Sequence, residues 1–159
     1  MAARDLFDRR EIAFLKALID GDVEFMIVGL AAAALQGAPA VTQDIDLWFA
    51  KLGSDKMLRA LERAGVTYIA PTDTNPPLLA GGGADLFDIV VHMHGLSSFE
   101  EEAGRVTHVK LGELNVPVLP ISRIIASKEA TGREKDRAIL PVLRDSLRVL
   151  ESLEEEADS

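Results

Sequence analysis

Two aspartates one residue apart interrupt an otherwise apolar stretch of the chain. The segment VTQDIDLWFA, residues 41–50, has the β-branched and aromatic residues of a strand, with Asp44 and Asp46 inside it. Because side chains alternate across a strand, both carboxylates are expected on one face, together with Trp48. Burying two unpaired like charges is costly. The pattern therefore indicates either a cation between the carboxylates, for which Mg²⁺ (or Mn²⁺) suits oxygen ligands, or two solvated aspartates at a sheet edge.

A third carboxylate lies in a later strand-like segment. The sequence DLFDIVVHMH, residues 85–94, is predicted to be a strand that carries Asp88. If this strand lies beside that of Asp44 and Asp46, the three acids would form a two-metal site for phosphoryl transfer. Asp85 is the alternative third acid, but it adjoins three glycines and is typical of a turn.

Two histidines follow Asp88 at spacings that would place them on its face of the strand. A pair such as His92 and His94 can bind a transition metal, so a metal-dependent hydrolase using Asp88, His92 and His94 is a third, weaker interpretation. Paired histidines on a half-exposed strand are more often ordinary polar residues. His92 is alternatively a proton shuttle near a substrate.

The composition restricts the classes of function. The chain has 159 residues, a net charge of −9 and no cysteine, which excludes disulfides, thiolate zinc sites and a cysteine nucleophile. The acidic balance does not favour free nucleic acid as a partner. No segment resembles a signal peptide or a membrane span. We expect one cytoplasmic domain over residues 1–159, ending in an acidic tail at 154–159.

The order of predicted elements mixes helices and strands, so the fold class is α/β or α+β. Apolar residues at helical spacing predict a first helix, and Ser54 is a good N-cap for a later one. The prolines and glycines of residues 71–83 predict a mobile loop, and Pro141 is expected to open the last helix. Helices are predicted at 9–20, 29–37, 54–65, 122–130, 133–140 and 141–153, and strands at 24–28, 44–50, 66–70, 85–94, 106–110 and 116–119.

Three segments together resemble nucleotidyltransferase-fold proteins. FMIVGLAAAALQGAPAVTQDIDLWF is similar to the family's first motif, in which a strand, a glycine turn and a helix precede the Asp-x-Asp strand. LFDIVVHMHG resembles the strand with the third acid. LPISRIIASKEATGREKDRAILPVL is similar to the C-terminal part of a small prokaryotic branch related to the toxins of type IV toxin–antitoxin pairs. The resemblance covers roughly residues 24–143, and its last segment matches at Lys128, Arg133, Lys135 and Asp136.

The resemblance implies a fold and an activity. The fold would be a small mixed sheet with helices mainly on one face and C-terminal helices. The activity would be transfer of a nucleoside monophosphate from an NTP to an acceptor hydroxyl on RNA or protein, with Asp44, Asp46 and Asp88 as catalytic metal ligands. The partners would include a cognate toxin or antitoxin. The nucleotide-binding residues would be Gly29, Leu30, Thr42, Lys128 and Arg133.

Two positions depart from the family pattern. Leu30 stands where the family has a small residue after the first glycine, and Ala40 stands where the branch often has an arginine. Both changes reduce the capacity to bind phosphate. A second hypothesis is therefore a catalytically impaired module that senses nucleotide or binds a toxin or antitoxin partner. The apolar residues between Leu140 and Leu153 also allow a helix-mediated homodimer.

Overall fold

A computed structural model describes residues 7–158 of the chain. This part of the chain forms six helices and seven strands, which confirms the mixed helix and strand class. The helices are α1 Arg9–Asp20, α2 Gly29–Leu35, α3 Asp55–Ala64, α4 Phe99–Ala103, α5 Ile121–Thr131 and α6 Glu134–Asp158. The strands are β1 Phe25–Val28, β2 Ile45–Phe49, β3 Thr67–Ile69, β4 Leu78–Ala80, β5 Phe87–Val90, β6 Thr107–Leu111 and β7 Leu114–Val118.

Five of these strands form one mixed sheet in the order β5-β2-β1-β7-β6. Strand β2 runs parallel to β5 and antiparallel to β1, and β1 runs parallel to β7. The Asp-x-Asp strand therefore lies inside the sheet and directly beside the strand of the third acid, as predicted. All four residues of β1 are buried, as expected for a strand that is covered on both faces.

The helices are shared between the two faces of the sheet, which refines the expectation of helices mainly on one face. On the face of Ile45 and Phe87, the ring of Phe14 from α1 lies 4.8 Å from that of Phe87. On the opposite face, which carries Asp46, Trp48 meets Phe99 of α4 edge to face at 5.3 Å. The acidic residues thus lie on a face that α4 and the segment before it partly cover.

Two predicted segments differ from the structure around the third acid. Strand β5 ends at Val90, so His92 and His94 lie in the turn that follows and not on the strand face of Asp88. The segment 71–83, predicted as a mobile loop, contains β4, which pairs with β3 as a separate two-stranded sheet. The strand was not predicted, because it has only three residues and lies between prolines and glycines that are typical of turns.

The C-terminal region also differs from its prediction. Helix α6 runs without a break through Pro141 and as far as Asp158, whereas a new helix was predicted to begin at Pro141. Leu140 and Leu143 are both buried, so packing on either side of the proline holds the helix together. The predicted acidic tail is helical over 154–158, and its last residue lies outside the described part. Within residues 7–158, no helix is long and apolar enough to span a bilayer.

Candidate functional site

The sheet brings the three predicted acids together at neighbouring positions. Asp46 on β2 is the direct register partner of Asp88 on β5, and Asp44 precedes β2 by one residue. Asp46 is half-buried, whereas Asp44 and Asp88 are exposed. Burial, and then the negative charges of Asp88 and Asp44, raise the pKa of Asp46. Burial and the charge of Asp44 raise the pKa of Asp88. The charges of Lys128 and Lys135 offset the shift at Asp46 only in part, so the cluster is electrostatically unfavourable without a further cation.

Gly29 lies close to the carboxylate of Asp46. The residue joins β1 to α2 with a φ of +70°, which favours glycine. A Cβ added there would lie 3.0 Å from Oδ2 of Asp46. The resemblance predicted this glycine for its approach to a phosphate, and the structure adds the carboxylate beside it as a second reason.

Thr42 organises the loop that leads into the acidic strand. Its hydroxyl donates a 2.8 Å hydrogen bond to the carbonyl oxygen of Asp44. This bond uses the only hydroxyl proton of Thr42, so the side chain is left with acceptor capacity alone. The contact fixes the backbone of the loop just before β2.

Lys128 and Arg133 converge on the buried carboxylate of Asp136. Gly132, with a φ of +64°, ends α5 and lets the chain turn into α6, which brings the three residues together. Asp136 accepts hydrogen bonds from Lys128 Nζ at 3.1 Å and from Arg133 Nε at 2.7 Å. These donors lower the pKa of Asp136 to about 2, although its burial opposes the shift. Asp136 therefore stays charged and fixes both cations.

The carboxylates and the cations line one cavity. It has a volume of about 360 Å³ and lies between the turn before α2, the loop before β2 and the start of α6. Asp88 is absent from its described lining and stands beside it on the edge strand. Seven predicted site residues line the cavity, namely Gly29, Leu30, Thr42, Asp44, Asp46, Lys128 and Arg133, together with Lys135, Asp136 and Ile139.

A second cavity, of about 340 Å³, adjoins the first. The two cavities share Gly29, Asp46, Lys128 and Arg133 as a common wall. The opposite side of the second cavity is the turn after β5, where the rings of His92 and His94 meet edge to face at 4.9 Å. The remaining lining residues are Val28, Met93, Ile124, Ser127 and Thr131. We call this space the histidine cavity and the first one the lysine cavity, after Lys135.

Gly95 places the histidine turn against α5. It has a φ of +75°, and an added Cβ would lie 2.4 Å from Cβ of Ala130 and 3.1 Å from the carbonyl oxygen of Ala126. Only a glycine allows the turn to approach the helix this closely. Gly95 was not among the predicted site residues. Its position directly after a strand and two histidines was the available signal.

The carboxylates are suitable ligands for a divalent cation, but they do not form a preorganised coordination site. Among residues 7–158, no group of three carboxylates or imidazoles is gathered closely enough to hold a metal ion as it stands. This finding applies equally to the two predicted sets, Asp44, Asp46 and Asp88 on one side and Asp88, His92 and His94 on the other: neither is a preformed metal site. The oxygen ligands of Asp44, Asp46 and Asp88 suit Mg²⁺ (or Mn²⁺), and a cation would relieve the repulsion that raises the pKa of Asp46.

The comparisons with known proteins concern the fold. No family model and no curated protein matches the sequence. The aminoglycoside nucleotidyltransferase ANT(2″)-Ia, in a crystal structure with adenylyl-2″-tobramycin, is similar with a TM-score of 0.57. The match covers 93% of this chain and 96% of that chain at 16% identity. The chain has a nucleotidyltransferase fold. A solution structure of the antibiotic-resistance factor ANT(2″)-Ia matches over 91% of this chain and 95% of that chain, at 16% identity and a TM-score of 0.49.

The sequence identified part of the lining of the two cavities. The acids and the cations belong to motifs with a recognisable order along the chain. Ser127, Thr131 and Ile139 were missed, because each is an ordinary helical residue in the sequence. Asp85 lies in a turn, as expected for the less favoured third acid.

Proposed function

We propose that the chain transfers a nucleoside monophosphate from an NTP to an acceptor hydroxyl. The observation that supports this most strongly is the lysine cavity, where Asp44 and Asp46 face Lys128, Arg133 and Lys135. Phosphoryl transfer needs carboxylates that hold a divalent cation and, facing them, positively charged side chains that attract the phosphates. The fold shared with a known nucleotidyltransferase agrees with this assignment.

The acids would act on the reacting groups. Asp44, Asp46 and Asp88 would hold Mg²⁺ (or Mn²⁺), which, when bound, neutralises the triphosphate and makes the acceptor hydroxyl easier to deprotonate. The hydroxyl oxygen forms a bond to the α-phosphorus, and the bond from the α-phosphorus to the bridging oxygen of the β-phosphate breaks. Pyrophosphate leaves, and Asp88, which stands beside the cavity on the edge strand, would help to take the hydroxyl proton.

The cations would orient the triphosphate. Arg133 has two guanidinium nitrogens directed at Asp136, and its exposed side chain retains further N–H donors toward the cavity. Lys128 and Lys135 line the same space and add positive charge. A pair of cations that is already fixed by Asp136 loses little side-chain entropy when the phosphates bind.

A transfer assay tests this function. The purified chain is incubated with labelled ATP, GTP, CTP or UTP, with Mg²⁺ or Mn²⁺, and with RNA, protein and small hydroxyl compounds as acceptors. We expect labelled product and pyrophosphate from the wild type and none from Asp44→Ala combined with Asp46→Ala. Asp73→Ala, in an exposed loop outside both cavities, is the matched control and should retain activity. Transfer that survives the double substitution would contradict the site assignment.

A second candidate is a module without turnover. Leu30 lines the lysine cavity directly beside the acids, where a small residue would leave more room for a phosphate, and Ala40 provides no cation. Such a module would sense nucleotide or bind a cognate toxin or antitoxin protein. Calorimetry with ATP distinguishes the two candidates: binding that needs Mg²⁺ supports the enzyme, and absent or metal-independent binding supports the module.

A further inference from the structure

We propose that the histidine cavity is the acceptor subsite and that it selects small hydroxyl compounds without positive charge. This inference rests on the proposed transfer reaction and adds the class of its second substrate. It starts from the common wall of the two cavities. A transfer between two substrates requires both to reach the same reacting centre, and Asp46 lines both spaces.

The chemistry of the two linings separates the substrates. The lysine cavity is also lined by Asp44, Lys135 and the loop of Thr42. It therefore has more negative and more positive side chains than the histidine cavity. The histidine cavity replaces them with imidazole rings and with the apolar side chains of Met93 and Ile124. A highly charged metal-bound triphosphate therefore fits the lysine cavity, and a compound with hydroxyl and carbon surfaces fits the histidine cavity.

Size and hydrogen-bonding groups narrow the class further. A space of about 340 Å³ is at the lower end of the range for small-molecule sites, which suits a compound the size of a sugar. Thr131 already donates its hydroxyl proton to the carbonyl of Ser127 at 2.8 Å. The exposed imidazoles of His92 and His94, with ring nitrogens for hydrogen bonds, therefore join the hydroxyl of Ser127 and the cations of the common wall as polar groups for an acceptor.

The charges that line the histidine cavity disfavour a cationic acceptor. Asp46 is the one carboxylate among the described residues that line the histidine cavity, and the proposed metal would occupy it. Lys128 and Arg133 are positive, and an imidazole is neutral or positive but never negative. An amino sugar such as tobramycin, which carries several ammonium groups, would meet no free carboxylate on this lining.

Methionine methyl signals test the binding step without turnover. Three of the four methionines lie in the described part: Met93 lines the histidine cavity, whereas Met26 and Met57 are fully buried and serve as internal controls. The protein, labelled at its methionine methyl carbons, is titrated with sorbitol, gluconate and tobramycin in the presence of Mg²⁺ and a non-hydrolysable NTP. Met93→Leu assigns the signal. We expect sorbitol or gluconate to shift the Met93 signal alone and tobramycin to leave it unchanged.

Kinetics with variants then tests the division between the cavities. His92→Ala combined with His94→Ala should raise the KM for the acceptor at least about tenfold, the effect of losing about 1.4 kcal/mol, and leave the Kd for NTP within about twofold. Lys135→Ala should show the reverse pattern. A Met93 shift with tobramycin alone, or with none of the three compounds, overturns the subsite. A shift with sorbitol or gluconate without any transfer supports the subsite while contradicting the proposed function.

Discussion

At the scale of the residue, the acidic cluster is a place where function and stability oppose each other. Asp46 is half-buried, and both its burial and the charges of Asp88 and Asp44 make its ionised form unfavourable. A raised pKa in the folded state means that, above this pKa, the ionised group destabilises the fold relative to the unfolded chain. The destabilisation is relieved as the pH falls and Asp46 is protonated.

Asp46→Asn is therefore expected to stabilise the metal-free protein and to abolish transfer. The amide keeps the shape of the side chain and removes its charge, so the melting temperature at pH 7 should rise. Thermal unfolding with and without Mg²⁺ measures this: Mg²⁺ should stabilise the wild type more than the variant. Asp73→Asn, which is exposed, is the control and should leave both melting temperatures nearly unchanged. A lower melting temperature for metal-free Asp46→Asn would contradict the electrostatic account.

Asp136 behaves in the opposite way, because its partners stabilise its charge. Its pKa is lowered to about 2 from an ordinary value of 3.8, so its contribution to stability is complete above pH 3.8 and is lost as the pH falls through 2. Asp136→Asn should lower the free energy of unfolding at pH 7 by roughly 1–3 kcal/mol. This lies below the about 3–5 kcal/mol of a fully buried pair, because Arg133 is half exposed.

Urea unfolding at several pH values checks this prediction. The difference between the wild type and Asp136→Asn should be constant from pH 7 to about pH 5 and should shrink below about pH 4. A difference that grows on acidification would show that the lowered pKa is not the cause. Glu102, whose pKa of about 2 comes chiefly from Arg123, should contribute to acid unfolding in the same pH range.

At the scale of the element, the histidine turn depends on one close contact with α5. Gly95→Ala combines a positive φ with a Cβ that would lie 2.4 Å from Ala130. Gly112 has a similar φ of +65° and nothing within 4 Å of an added Cβ, so Gly112→Ala isolates the backbone strain. We expect Gly112→Ala to cost about 1–2 kcal/mol and Gly95→Ala about 1–3 kcal/mol more. Denaturant unfolding measures both values, and equal losses would show that the contact with α5 is unimportant.

Helix α6 shows why a local sequence pattern can predict the wrong boundary for a helix. Proline is favoured at the first position of a helix, so Pro141 predicted a new start. In the structure it is the eighth residue of a continuous helix, which Leu140 and Leu143 hold by their burial. An internal proline costs up to about 3 kcal/mol, because it removes a hydrogen bond and crowds the preceding turn. Pro141→Ala should therefore raise the free energy of unfolding in urea, and no gain would mean that the helix bends there without strain.

At the scale of the whole molecule, the sequence was most informative where a motif and a strand coincide. The placement of Asp46 beside Asp88 followed from two strand-like segments and a resemblance that specified their order. The histidine cavity did not follow, because it depends on where β5 stops and on how closely Gly95 meets α5. Contacts between segments distant in sequence leave no periodic signal in either one.

The outer side of α6 carries partly exposed apolar residues that predict how the chain assembles. A stripe at heptad spacing, Val142, Ser146, Val149 and Leu153, lies beside the stripe that packs on the body of the protein. Val149 and Leu153 are 60% and 54% exposed and flank a groove of about 510 Å³ against Gly37 and Pro39. The arginines of α6, at positions 137, 144 and 148, precede the glutamates at its end, at 151 and 154–156, so two antiparallel copies would bring opposite charges together.

We therefore expect a homodimer through α6, with a mass about twice the 17.2 kDa of one chain. Light scattering after gel filtration, across a dilution series, measures that mass. Val149→Glu combined with Leu153→Glu places charges in the apolar stripe and should give a monomer with unchanged circular dichroism. Leu58→Glu on α3, where the native side chain is 44% exposed, is the matched control and should remain a dimer. A wild type that is monomeric at every concentration would contradict the homodimer.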